Sequence, residues 1–180
     1  VSFSGTANLN KYLDGWASVN YVNNGATGRP ETGYGDRNPM QKMWQWSQTQ
    51  LDYQDLKEYL NEDGTQRTWN RTSWDDGTPM YTDNPYWSAY KNYQSDRRNR
   101  VYGNAGLNLK LTDWLKITGR VGVDYFNLAM EERFAVGSQA TPEYYLDVRE
   151  ALETNMELFA NFNQRFFSDK FGVSALLGTS

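Results

Sequence analysis

Over residues 101–111 the odd positions read Val101, Gly103, Ala105, Leu107, Leu109 and Leu111, while the even ones read Tyr102, Asn104, Gly106, Asn108 and Lys110. Successive side chains of a strand point to opposite faces, so this period of two specifies a β-strand with one greasy and one polar face. After Thr112-Asp113 the pattern resumes, with Leu115, Ile117, Val121, Val123 and Tyr125 against Lys116, Thr118, Arg120 and Asp124. The connection is short enough to make the two strands a hairpin.

The same texture predicts two more hairpins. Met156, Leu158, Ala160 and Phe162 oppose Glu157, Asn161 and Asn163, and across 165–169 Phe171, Val173, Ala175 and Leu177 follow. At the N-terminus Val1, Phe3, Ala7 and Leu9 oppose Ser2, Ser4, Thr6 and Asn8; a turn near Lys11 to Asp14 leads to Ala17, Val19 and Tyr21. Connections are short at 10–14, 112–114 and 165–169 but long at 23–98 and 127–152. Short turns on one side and long loops on the other suit an outer-membrane barrel. An antiparallel soluble sandwich produces the same alternation, so the pattern alone leaves both open. No run approaches the roughly 18 apolar residues of a membrane-spanning helix.

The polar set Lys116, Arg120, Asp124 and Glu157, beside rings near strand ends such as Tyr21, Trp114, Tyr125 and Phe166, favours the barrel, with the polar residues lining its lumen and the rings at the membrane interface. The expected fold is therefore all-β: a fragment of a large antiparallel transmembrane β-barrel, about six strands, with a long, partly helical extracellular loop. Val1 is not preceded by an initiator Met or a leader-like segment, in keeping with a mature product or an excised piece.

Chemistry is narrowed by what the chain lacks. With no His and no Cys there is no imidazole base, thiolate, zinc finger or haem attachment site, and no cofactor or metal is expected. A formal net charge of −4 with scattered Lys and Arg argues against a nucleic-acid partner. Apolar surface is carried by rings (Trp 7, Tyr 13, Phe 8), and they are unevenly placed: every Phe lies outside 23–98, whereas Trp44, Trp46, Trp69, Trp74 and Trp87 lie inside it. Gly28-Arg29-Pro30 and Asp75-Asp76-Gly77-Thr78-Pro79 mark turns in that insert. Leu51, Leu56, Tyr59 and Leu60 predict a short helix over 51–60.

Several blocks of the chain carry a family likeness. Asn38-Pro39-Met40-Gln41-Lys42-Met43-Trp44-Gln45-Trp46, Leu51-Asp52, Asp63-Gly64-Thr65-Gln66-Arg67-Thr68-Trp69-Asn70 and Asn84-Pro85-Tyr86-Trp87 come in succession. Asp96-Arg97-Arg98-Asn99-Arg100-Val101-Tyr102-Gly103-Asn104, Leu111-Thr112-Asp113-Trp114-Leu115 and Gly119-Arg120-Val121-Gly122 follow. Their order and spacing resemble the mid-barrel region of the SusC/RagA family of TonB-dependent outer-membrane transporters, over about residues 38 to 178. The resemblance implies a wall segment of a plugged barrel of about 22 strands, without the plug domain and the remaining strands. It further implies import of glycan oligomers or peptides, a SusD-like surface lipoprotein as lid, TonB as the energy source, and no enzymatic activity.

Candidate residues follow with their plainer alternatives. Trp44, Trp46, Trp69, Trp74, Tyr81 and Trp87 offer faces that stack on sugar rings, or they anchor the loop. Asp75-Asp76 and Glu131-Glu132 invite an acid/base or cation reading, but neither has a ligand spacing, and solvated loop charge explains them. Arg97, Arg98 and Arg100 form a basic run that suits lipid phosphates or pairing with nearby carboxylates. Asn70-Arg71-Thr72 matches a glycosylation sequon that has no use in a bacterial outer-membrane protein. A secreted carbohydrate-binding β-sandwich is the alternative function, and a carboxylate glycosidase using Asp75 or Asp76 a third.

Overall fold

A computed structural model describes residues 1–168 and 170–180. The expected all-β class holds: six strands, β1 (Ser2–Asn8), β2 (Leu13–Arg29), β3 (Gln94–Lys110), β4 (Leu115–Phe134), β5 (Glu143–Phe166) and β6 (Phe171–Thr179), form one largely antiparallel, open sheet. They pair in chain order, so β1 and β6 are its edges. In the first hairpin Thr6 faces Trp16 and Ser4 faces Ser18; in the last, Ala160 faces Leu177 and Phe166 faces Phe171. Asp169, the last residue of the turn expected at 165–169, lies outside the described residues.

Strands run further than the alternation suggests. β2 and β3 reach into both ends of the 23–98 insert, and β4 and β5 reduce the expected 127–152 loop to residues 135–142. In the extensions of β2 and β3 polar side chains occupy both faces, which erases the two-residue hydropathy period, and cross-strand partners such as Arg29 Nε on Asp96 Oδ1 at 2.7 Å stand in its place. In those of β4 and β5 apolar residues such as Leu128 and Met130 persist, Leu146 and Val148 still alternate with charged ones, and Asn127 Nδ2 donates to Glu150 Oε1 at 2.9 Å where the extensions begin.

The helix expected over 51–60 is absent apart from a 3₁₀ turn at Asp55–Lys57, where Leu56 is buried. Helices form instead at α1 (Pro39–Gln45) and α2 (Pro85–Lys91). Each opens on Asn-Pro: the Asn38 side chain accepts from Met40 N and Gln41 N, and the Asn84 side chain from Tyr86 N. The amide caps orphan N–H groups, while Pro at the first position needs no partner. Seven residues are too few to display a helical period, so the cap was the readable signal.

Contacts divide the chain into two compact units. The first comprises Val1–Asn24, Arg98–Asn127 and Arg149–Ser180. Its apolar face stays in the open: Phe3, Leu9, Val19, Leu107, Val121, Val123, Met156, Leu158 and Leu177 are all exposed. The second comprises Gly25–Arg97 and Leu128–Val148. Its interior is unusually polar, with Thr82, Asp83, Asn84, Ser88 and Asn92 buried beside Trp87, Leu56 and Ala135.

Candidate functional site

In the first unit the polar face is laced across strands. Arg120 Nε donates to Glu157 Oε2 at 2.6 Å, and Arg100 Nε to Asp124 Oδ1 at 2.8 Å. Asn108 joins two neighbours, donating to Asp14 Oδ2 at 2.7 Å and accepting from Thr118 Oγ1 at 2.7 Å. Asn20, Tyr102, Asn104, Arg120, Asp124 and Glu157 line a shallow depression of about 400 Å³. Lys116 is exposed further along β4. Three of the four residues expected on one polar face thus enter two separate ion pairs, Arg120 with Glu157 and Asp124 with Arg100, while Lys116 stands apart. Pairs this open to solvent contribute little stability. They keep a charged wall locally neutral.

On the opposite face lies an apolar band. Trp114 packs on Phe162 at 5.3 Å and Phe166 on Phe171 at 6.5 Å between ring centres, at the end of the short turns. At the other end Tyr21 and Tyr125 close the band, and the Tyr21 hydroxyl donates to Asn99 Oδ1 at 2.9 Å. From Leu115 to Tyr125 the strand rises about 34 Å at ~3.4 Å per residue.

The second unit is held by a knot centred on Asp83. Its Oδ1 accepts from Gln66 Nε2 at 2.9 Å and Gln139 N at 2.7 Å, and its Oδ2 from Asn92 Nδ2 at 3.1 Å. Asn92 Oδ1 in turn accepts from Ala135 N and Ser138 Oγ, both at 2.8 Å. The Asn84 side chain donates to Leu56 O and Arg67 O, both at 2.9 Å. The β4–β5 connection is therefore tied to the long insert through side chains on α2 and its flanks. Burial pushes the Asp83 carboxyl above its ordinary 3.8, against the bonds from Gln66 and Gln139 that pull it down. Sequence reasoning passed over Asp83 and Asn92. Asp83 had one signal, the Asp-Asn-Pro run before a helix, and Asn92, just past that helix, had none.

The aromatic candidates are scattered through this unit. Trp87 is 3% exposed, its Nε1 donating to Ser138 Oγ at 2.9 Å and its ring edge-on to Tyr59 at 6.4 Å, so it builds the interior. Trp69 is half-buried, with its Nε1 buried as well. Trp46 lies parallel to the exposed Tyr81, 5.7 Å between centres and 5° between planes. Trp44 and Trp74 are 81% and 89% exposed.

Charged candidates are mostly engaged locally. Asp76 accepts from Thr78 N and Oγ1, bonds that hold its carboxyl below the usual range, and Asp75 accepts from Ser73 Oγ. Both form a turn. Glu132 pairs with Arg37 at 2.8 Å, and Ser95 Oγ reaches Glu131 at 3.5 Å. No group of His, Cys, Asp or Glu with metal-binding geometry occurs among the described residues. Alternation splits the basic run: Arg98 stacks over Phe126 at 4.6 Å and Arg100 bonds Asp124, whereas Arg97, between them and the insert, points the other way and is exposed. No protein-family model matches the chain, and neither does any curated protein.

Proposed function

We propose that this chain is a wall segment of a TonB-dependent outer-membrane transporter of the SusC/RagA type, importing glycan oligomers or peptides and carrying out no chemistry of its own. One observation carries the reading: a single sheet whose exposed apolar face, with aromatic side chains toward both ends, backs a face of paired charges and amides; at a barrel's ~45° tilt that face would stand about 24 Å high. A barrel wall needs that division, lipid on one side and an aqueous lumen on the other. A carbohydrate-binding sandwich would cover its apolar face with a second sheet, and the described strands form one sheet.

On this reading the partners are outer-membrane lipid, a SusD-like lipoprotein over the long insert, and TonB acting through a plug encoded elsewhere. Lys116, Arg120, Asp124 and Glu157 face the lumen. Trp44, Trp74 and the Trp46–Tyr81 stack are the rings left for cargo or lid, whereas Trp69 and Trp87 serve the insert's own packing. The test is production of residues 1–180 without detergent, followed by sizing and circular dichroism. Insolubility, or strand content only in detergent, is expected; a soluble, cooperatively melting β monomer overturns the reading.

A further inference from the structure

The apolar band of β2, β3 and β4 ends at one level, and β5 carries Glu150 at that level before Val148 and Leu146 resume on the same side. Lys110 N donates to Tyr12 O at 2.7 Å, Leu111 N to Leu115 O at 3.0 Å and Asn163 N to Trp114 O at 2.8 Å. Followed along the antiparallel ladders, these bonds bring Tyr21, Val101, Tyr125 and Leu152 level across β2, β3, β4 and β5. The next level on the same face is Asn23, Asn99, Asn127 and Glu150. Side-chain bonds agree with this register: Asn23 Nδ2 donates to Asn99 Oδ1 at 2.6 Å, and Asn127 Nδ2 to Glu150 Oε1 at 2.9 Å.

Nothing in strand pairing requires three strands to change from hydrocarbon to amide, with a carboxylate beside them on the fourth, in the same row. In a soluble sheet such changes fall wherever each strand meets its own neighbours. A flat boundary between two solvents imposes them together, because an unsatisfied amide in hydrocarbon costs several kcal/mol. Tyr21 straddles the step, with its ring in the apolar row and its hydroxyl on Asn99 in the polar one. That is the placement expected of an interfacial tyrosine.

We propose that the row Asn23–Asn99–Asn127–Glu150 marks where the sheet leaves the hydrocarbon and enters the lipid headgroup layer. This rests on the membrane reading above and adds to it the depth of every residue on these four strands. Val19, Val101, Val121 and Val123 lie in acyl chains; the amide row meets hydrated, hydroxyl-bearing headgroups. The row contains one carboxylate and no cation, so it is not built to bind phosphate.

A chain without cysteine suits site-directed labelling. Spin labels at Val121→Cys, Val101→Cys, Asn99→Cys and Asn127→Cys in the bilayer-inserted protein report accessibility to oxygen and to a water-soluble nickel chelate. Oxygen should dominate at 121 and 101 and the chelate at 99 and 127, the ratio falling severalfold in one residue pair. Should Asn99→Cys fail to insert, Asn23→Cys reads the same row. If 121 is lipid-exposed but the crossover falls two rows away or more, the proposed boundary is wrong and the membrane reading stands. If all four labels favour the chelate, both are overturned.

Discussion

Asp83 decides more than its exposure would suggest. Three neutral donors converge on its carboxylate, from Gln66, Gln139 and Asn92. Asp83→Asn removes a buried charge but turns an amide N–H toward one of those donors. The donor so opposed is left unpartnered in the interior, and we expect a destabilisation of about 1–3 kcal/mol, seen as a lower Tm and faster amide exchange at 135–139. Because burial raises its folded-state pKa above 3.8, Asp83 holds its proton more tightly folded than unfolded. Its contribution is fully present below 3.8 and is lost as pH rises through the folded value. The Tm gap between wild type and Asp83→Asn should therefore widen from pH 7 toward pH 4. Trp87→Ala should cost about 3–5 kcal/mol by opening the interior, whereas the exposed Trp74→Ala should stay within about 0.5 kcal/mol; chemical denaturation of both variants separates an architectural ring from a contact ring. The sequence showed five equivalent-looking Trp residues in the insert. Burial, which depends on residues such as Ser138 fifty positions away, told them apart.

Between elements, close approach of strands is managed by glycine. A Cβ at Gly103 would run into the Ser18 carbonyl and the Val19 backbone of β2, and one at Gly106 into the ring of Trp16. Backbone cannot step aside as a side chain can, so Gly103→Ala should loosen the β2–β3 pair at a cost of about 1–3 kcal/mol. Hydrogen exchange at Ala17–Val19 measures it; unchanged protection there would show that the strands have room. Strands of the first unit were legible because their alternation is local. The outer parts of β2 and β3 were not, since pairs such as Arg29 with Asp96 replace hydropathy contrast by contacts distant in sequence. The two short helices announced themselves only through Asn38-Pro39 and Asn84-Pro85. The apolar spacing at 51–60 misled, because Leu56 is drawn into the interior of the second unit by a single turn.

For the molecule as a whole, the exposed apolar face sets the solvent it needs. Val121 sits near the middle of the band, so on the membrane reading Val121→Lys should cost about 2–4 kcal/mol and impair folding into vesicles, while Asn104→Lys on the polar face should be tolerated. Equal tolerance of both, read from the folded fraction on gels without boiling, would remove lipid from the account. Local period and composition determined by themselves that the chain makes two-faced strands, that its turns alternate short and long, and that imidazole and thiol chemistry are excluded. These are properties of neighbouring residues. Only the tertiary structure decided which charges pair, that Asp83 and Asn92 knot the insert to the β4–β5 connection, and that three neighbouring strands change character at one level. Each of those depends on strand register, which is fixed by backbone bonds between residues far apart in the chain.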